Sequence, residues 1–391
     1  MKMNLAVFFG CASVEHEISV ISAVQAMASM NSEKYNIIPV YVTKKREMFT
    51  GEALKDIEEY KNISALLEKC SRVTFFREAD GVRMIPEKRG AFKLKNSVNI
   101  DFAFPVVHGT NCEDGTIQGF IEMLGIPYAE CNVVSSAVGM DKILFKDVCR
   151  AKGFPVIDGF GFTARSFSEN REEVLDRIEK ELGYPVIIKP ANLGSSIGIS
   201  KASDRAALEE KILLACTFAP RILAEKAIVN IREINCSVVG DGNSCKASVC
   251  EEPVMSDEIL SFSDKYESRS SSKGMAGLSR IIPAKIPDEK TREIQEISEK
   301  LFKYLDCCGV VRIDYIIDEG DGGKVYINEI NTVPGSLAFY LWKESGMEYE
   351  QLLDKIISLG QKRDRDRKNL TFTYDTNILE KGAFGVKGAK K

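Results

Sequence analysis

Arg312, Asp314, Glu329 and Asn331 stand at spacings that can bring a guanidinium, two carboxylates and an amide onto one surface. Between them Asp321-Gly322, flanked by two β-rich runs, is a favoured type I′ hairpin dipeptide. A two-residue loop centred there sets Arg312 opposite Asn331 and Asp314 opposite Glu329. Residues two apart on a strand share a face, so all four fall on one side of the ribbon. Ile313, Tyr315, Ile317 and Ile330 take the other side. Hard oxygen donors beside a guanidinium suit Mg²⁺ and the phosphates around it. An ordinary solvated hairpin face with a cross-strand ion pair would carry the same pattern.

A second chemistry-bearing stretch is Lys189, at the end of the apolar run Pro185–Pro190, followed by Asn192-Leu193-Gly194-Ser195-Ser196-Ile197-Gly198. Backbone N–H groups of such a loop can cradle phosphate while the lysine supplies a point charge. It is not a Walker A loop, because GxxxxGK[ST] is absent. Gly159-Phe160-Gly161 with Ala164 imitates a dinucleotide fingerprint but lacks its strand–helix context. By itself the Gly/Ser stretch reads as a turn. Joined to a strand-end lysine and the hairpin face downstream, it points to ATP.

These groups need a scaffold. Leu5–Phe9, Ile37–Val42 and Phe102–Val107 are apolar strand-like runs, and helical patterns follow the first and third. Strand, loop, helix, strand predicts a parallel α/β layer with its loops gathered at the strand C-terminal ends. Residues 43–100 read as an excursion from that layer, and one helix is expected over about 135–151. From Lys226 the pattern turns antiparallel: Ile234–Val239, a turn at Asp241-Gly242, then Lys246–Val254. Residues 256–280, polar and too long for a simple turn, read as a mobile loop. The tail from Gln361 holds nine basic against four acidic residues and is expected to be poorly ordered.

The 391 residues allow two or three domains at roughly 100–200 residues each. A net charge of −4 gives no electrostatic footprint for nucleic acid or an anionic membrane. No apolar stretch approaches the roughly 18–20 residues of a membrane span, and the start MKMNLAVFFG lacks a signal-peptide layout. Eleven scattered cysteines with no CxxC spacing fit small core residues in a reducing cytoplasm. With only His16 and His108, a histidine-built metal site is excluded, leaving oxygen ligands.

In order along residues 4–358, Gly10–Ser19 (GCASVEHEIS), His108–Gly119 (HGTNCEDGTIQG), Met140-Asp141-Lys142, Ile188–Gly198 (IKPANLGSSIG) and Val311–Gly335 resemble the D-alanine–D-alanine ligase family of the ATP-grasp superfamily. The resemblance implies an α/β composite: an N-terminal parallel α/β domain at 1–130, a central subdomain at 131–225, and a mainly antiparallel C-terminal subdomain at 226–360, followed by a basic tail at 361–391. It implies that Asp314, Glu329 and Asn331 bind two Mg²⁺ ions, with Mn²⁺ able to serve in their place. Arg312 and the backbone N–H of Gly335 would stabilise an oxyanion, and Lys142 and Lys189 would hold ATP phosphates. Glu225 and Lys226 would form the hinge at adenine, with Glu233 at the ribose. Lys265-Tyr266 resembles the lysine–tyrosine pair of the closing loop. Glu15, Ser195 and Tyr266 would form a hydrogen-bonded trio at the first amino acid, and His108 would lie near the acyl phosphate. Small amino acids are the implied partners, in a cytoplasmic homodimer serving peptidoglycan precursor synthesis.

One position departs from the family pattern. Counted without a gap after Asn331-Thr332-Val333-Pro334-Gly335, Tyr340 falls where these ligases carry a serine for the second amino acid's carboxylate, and Ser336 comes too early. The acceptor pocket therefore admits alternatives to D-alanine: D-serine, D-lactate or another acceptor. A nucleotide-binding regulator without catalysis is the reading from a different class, and the retained lysines and acids speak against it.

Overall fold

Leu5–Phe9 is apolar at every position, so both faces of its strand must be covered by other elements. The computed structural model describes residues 2–87, 97–111, 113–253 and 280–373. β1 (Met3–Gly10) leads through α1 (His16–Ser29) into β2 (Tyr35–Val42), its parallel neighbour. β3 (Met48–Thr50), α2 (Ile63–Glu68), β4 (Ser71–Glu78), β5 (Gly81–Pro86) and β6 (Val98–Ile100) follow. β7 (Phe102–Val106) then pairs in parallel on the other side of β1, giving the order β6-β5-β4-β3-β2-β1-β7. The expected excursion at 43–100 thus continues the layer as its antiparallel edge, because β4 and β5 alternate buried and exposed residues. α3 (Thr116–Leu124) covers one face, packing Ile117 and Ile121 with Ala6 and Phe8.

The single helix expected at 135–151 is two, α4 (Val133–Met140) and α5 (Lys142–Ala151). Asp141 between them is extended (φ −89°, ψ 102°), and its carboxylate caps α5 by accepting from the N–H groups of Ile143 and Leu144. The break sets Lys142 at the head of α5, where a cation opposes the helix dipole, a local cost characteristic of a functional position. β8 (Gly159–Thr163), α6 (Ala164–Glu169), α7 (Arg171–Glu181), β9 (Val186–Pro190), β10 (Ser200–Ala202), α8 (Arg205–Cys216) and β11 (Arg221–Lys226) complete a four-stranded antiparallel sheet of order β10-β9-β11-β8.

β12 (Ile231–Gly240), β13 (Cys245–Pro253), β14 (Arg280–Ile281), α9 (Asp288–Tyr304), β15 (Gly309–Asp318) and β16 (Lys324–Asn331) build a third sheet, ordered β14-β13-β12-β15-β16. Arg312 pairs with Asn331 and Asp314 with Glu329, as the hairpin pattern predicts. The turn differs: Asp318 pairs with Lys324, and Glu319–Asp321 forms a short 3₁₀ turn followed by two glycines of positive φ. A bulge after Asp314 shifts the ladder by one residue, so the pairing at the site survives a different turn.

α10 (Phe339–Glu344) and α11 (Tyr349–Lys368) close the chain's described part. Leu352, Leu353, Ile356 and Ile357 of α11 pack with Leu5, Val7 and Phe9, covering the second face of β1. Each such buried side chain contributes roughly 1.5–3 kcal/mol. The basic tail expected to be poorly ordered from Gln361 is helical through Lys368. Arg363 ties it down by donating to the carbonyls of Glu130 (2.6 Å) and Tyr128 (2.8 Å).

Candidate active site

The polar face of the third sheet carries the hairpin constellation. Arg312 donates through Nε and Nη2 to both oxygens of Asp314, each at 2.7 Å, and Asn331 Nδ2 donates to Asp314 Oδ2 at 3.1 Å. Burial works against the Arg312 charge, but Asp314 outweighs it and holds the guanidinium firmly protonated. Across the ladder, Glu329 Oε2 lies 3.3 Å from Lys142 Nζ. Among the described residues no group of three or more His, Cys, Asp or Glu side chains is placed to hold a metal. Asp314, Glu329 and Asn331 nonetheless fit Mg²⁺, which is ordinarily bound through one or two carboxylates plus phosphate oxygens rather than an all-protein cage.

Two lysines converge on this face, Lys142 from the head of α5 and Lys189 from β9 of the middle sheet. Lys142 Nζ also donates to the carbonyl of Leu193 at 2.6 Å, which ties α5 to the Gly/Ser loop. Lys189 Nζ lies 2.6 Å from Glu225 Oε2 and donates to Asn328 Oδ1 at 3.0 Å. Glu225, expected from the family resemblance at an adenine hinge, lines a cleft together with Lys226. Its carboxylate is turned inward, with Lys146 Nζ 2.5 Å from Oε1. Burial alone would raise this carboxyl, but the two ammonium groups hold it down at about 2. What residue 225 offers the cleft is therefore backbone. Lys146 and Asn328 were missed: a lysine one turn beyond Lys142 reads as helix surface, and Asn328 is the bulge residue. Beside them the same cleft is lined by Ile157, Ile187, Ile228 and Ile231 and by the charged side chains of Lys189, Lys226, Glu233 and Asp314.

A smaller cleft joins Glu15, His108, Glu113, Lys142, Gly194, Arg312, Glu329, Asn331 and Gly335. Ser195, at φ 54°, donates its hydroxyl proton to Glu15 Oε1. A Cβ on Gly194 would lie 2.5 Å from Glu15 Oε2, so any larger residue there would push the Glu15 carboxylate aside. Lys265 and Tyr266 lie outside the described residues. His108 is buried, with Nδ1–H donating to the carbonyl of Val333 (2.8 Å) and Nε2 accepting from Ser22 (2.9 Å). Burial, with Arg312 adding to it, depresses the imidazole to about 4 and keeps it neutral. Glu113, quoted in the sequence motif but given no role, accepts from the N–H groups of Gly109 (3.0 Å) and Val333 (3.1 Å). Burial and the Glu15 charge push it up to about 7.

Gly335 opens a turn in which Ser336, Leu337 and Ala338 all take left-handed φ, from 49° to 53°. Such residues cost roughly 1–2 kcal/mol each. Burial of Leu337 and Ala338 and the bonds of Ser336 to Ser22 and Gln25 hold them there. Ser336 is thereby turned into the core. Tyr340 follows, its hydroxyl donating to Glu251 Oε1 at 2.9 Å and its ring centroid 4.0 Å from the Arg280 guanidinium carbon. Burial, then the Glu251 charge, pushes its phenol up to about 12.

Residues 4–131 match the family model described as D-ala D-ala ligase N-terminus, and residues 148–358 that described as D-ala D-ala ligase C-terminus. The chain is 43% identical to a D-alanine–D-alanine ligase of Thermosipho melanesiensis, over 97% of this chain and 98% of that one. It is 39% identical to the ligase of that name from Caldicellulosiruptor bescii, over 96% and 99%. Among solved structures, the D-alanine–D-alanine ligase from Coxiella burnetii superposes with a TM-score of 0.77 at 28% identity, over 94% of this chain and 96% of that one. VanG D-Ala:D-Ser ligase from Enterococcus faecalis gives 0.76 at 28% identity, over 92% and 100%.

Proposed function

This chain belongs to the D-alanine–D-alanine ligase family, and on that premise we propose that it joins two D-alanine molecules at the expense of ATP, making the dipeptide for peptidoglycan precursors. The observation that carries the reading is the single face on which Arg312, Asp314, Glu329 and Asn331 meet Lys142, with the Glu15–Ser195 pair in the same cleft.

A carboxylate oxygen of the first D-alanine attacks the γ-phosphorus of ATP, the bond from that phosphorus to the bridging oxygen breaks, and ADP leaves. The amine of the second D-alanine attacks the acyl carbon, the bond to phosphate breaks, and the nitrogen gives up a proton. Glu15, fixed by Ser195, takes the ammonium of the first amino acid. Lys142 and Lys189 hold the charge that builds on the transferring phosphoryl group. Arg312, oriented by its two bonds to Asp314, and the N–H of Gly335 hold the tetrahedral oxyanion. Neutral His108 contributes Nδ1–H to the Val333 carbonyl and so fixes the loop before Gly335. Asp314, Glu329 and Asn331 would hold two Mg²⁺ ions, or Mn²⁺, which when bound supply screening of phosphate oxygens. Lys226 and Glu233 line the larger cleft, where the adenosine would sit. On this reading segment 1–130 supplies Glu15 and His108, segment 131–225 supplies Lys142, Lys189 and Ser195, and segment 226–360 supplies the metal and oxyanion groups and part of the nucleotide cleft. Ten cysteines among the described residues are free thiols, in keeping with a cytoplasmic enzyme. A homodimer is the proposed assembly.

The test is incubation of the protein with ATP, Mg²⁺ and D-alanine, reading phosphate release and product mass. D-Ala–D-Ala with one phosphate per dipeptide is expected. Phosphate released only when D-serine or D-lactate is added would move the acceptor assignment, and none with any of them would refute the ligase reading.

A further inference from the structure

Resting on the ligase reading, we propose that Arg221 is a positioning residue for phosphate binding. Through Asp141 it holds the head of α5, and with it the Lys142 ammonium, at the place the ATP phosphates take. Lys142 opens α5, where the helix dipole opposes its charge, so its place must be set from outside the helix. The two oxygens of Asp141 divide that work. Oδ1 accepts from the N–H groups of Ile143 (3.1 Å) and Leu144 (3.0 Å) and starts the helix, while Oδ2 pairs with Arg221 Nη1 on β11. Next to it the Lys142 N–H donates to the Ala191 carbonyl at 2.7 Å, and the Ala191 N–H donates to the Arg221 carbonyl at 2.9 Å. Arg221 is thus joined to the head of α5 twice, by its side chain through Asp141 and by its backbone through Ala191. From the point so fixed, Lys142 Nζ reaches the Leu193 carbonyl at 2.6 Å and lies 3.3 Å from Glu329 Oε2.

Arg221 and Glu225 stand four residues apart on β11 and so share a face. Helix α5 meets that face with Asp141 at Arg221 and Lys146 at Glu225. Glu225 also pairs with Lys189. One strand therefore places both lysines assigned to phosphate, Lys189 through Glu225 and Lys142 through Arg221. Neither Asp141 nor Arg221 is among the residues lining the two clefts, so the pair acts through Lys142 and not by touching substrate. Nor is it chiefly a stabilising contact. The Arg221 side chain is 39% exposed, and ion pairs so open to water contribute little to folding.

The experiment measures binding of ATP and of adenosine by titration calorimetry with Mg²⁺ present, together with the KM for D-alanine. It compares wild type, Arg221→Met, Arg221→Lys, Asp141→Asn and the Arg221→Met/Asp141→Asn double variant. Asparagine keeps the helix cap and loses only the charge that Arg221 meets. Arg221→Met and Asp141→Asn are each expected to weaken ATP binding about tenfold, while adenosine affinity and the D-alanine KM stay within about twofold. The double variant should be no weaker than either single one, because both remove the same link. Arg221→Lys should recover most of the loss. If circular dichroism shows Arg221→Met unfolded, Asp141→Asn carries the test. Unchanged ATP affinity, an equal loss for adenosine, or losses that multiply in the double variant would overturn the assignment, as would a wild type that binds ATP no tighter than adenosine. A wild type that binds ATP but releases no phosphate with D-alanine would instead overturn the ligase reading, with the split between ATP and adenosine still deciding the role of Arg221.

Discussion

Replacing Glu225 by glutamine removes the one negative charge between two lysine ammonium groups, and the structure sets how much that should cost. Lys146, Lys189 and Glu225 side chains are 2%, 9% and 1% exposed. Burial would raise the Glu225 carboxyl, yet the lysines hold it at about 2 against 4.5 in an open chain. A depression of this size is worth about 3 kcal/mol of folding free energy. The contribution is fully present above about pH 4.5 and lost as pH falls toward 2. Breaking a buried pair by removing one partner costs about 3–5 kcal/mol, so both routes agree for Glu225→Gln near pH 7. The melting temperature should fall by roughly 5 °C. Lys146→Met should behave differently. Burial, with the Lys189 charge adding to it, leaves the Lys146 ammonium lowered despite Glu225, and the substitution leaves Glu225 and Lys189 paired one to one. A loss below about 1.5 kcal/mol is expected, as for a volume-conserving swap. The double variant should be more stable than Glu225→Gln alone, because one of the two opposed cations is gone. Thermal and urea unfolding followed by circular dichroism measure all three. A Glu225→Gln protein melting within about 2 °C of wild type, or Lys146→Met losing as much as Glu225→Gln, would refute the electrostatic account.

Arg312→Lys keeps the charge but not the fork that grips Asp314, and should lower kcat by roughly 10²–10³ with little change in the KM for ATP; a variant retaining a third of wild-type kcat would remove the oxyanion role. Gly194→Ala puts a Cβ 2.5 Å from Glu15 Oε2, so the KM for the first D-alanine should rise on the order of tenfold while ATP binding holds, and unchanged D-alanine kinetics would count against the Glu15 assignment. Glu113, about 7 in the fold against 4.5 unfolded, contributes stability that is present below pH 4.5 and lost as pH rises through 7; the melting difference between Glu113→Gln and wild type should therefore move in the variant's favour from pH 5 to pH 8, and a flat difference would contradict this. His108, about 4 in the fold against 6.5 unfolded, contributes stability present above pH 6.5 and lost on acidification toward 4, a slope that His108→Gln should flatten in the same melts.

The pairings of Arg312 with Asn331 and Asp314 with Glu329 were legible because a strand's two-residue period and a local turn signal fix which side chains share a face. The turn itself was misread, and a bulge restored the register. The apolar run Leu5–Phe9 likewise announced a strand covered on both sides. It could not say that one cover would come from α11, some 350 residues later in the chain.

What the sequence by itself determined is therefore local: strand and helix periods, the faces they present, the strand-end lysine with its glycine-rich loop, and the motifs that carry the family resemblance. Tertiary structure decided which charges meet. The Asp141 cap that splits the helix is held also by an ion pair with Arg221. Glu225 turns inward only because Lys146 of α5 lies behind β11. Arg280 finds Glu251 and Tyr340 through β14 and the left-handed turn after Gly335. Each contact closes a long loop, and no short-range rule of spacing constrains residues so far apart until the sheets pack and low dielectric makes an unpaired charge costly.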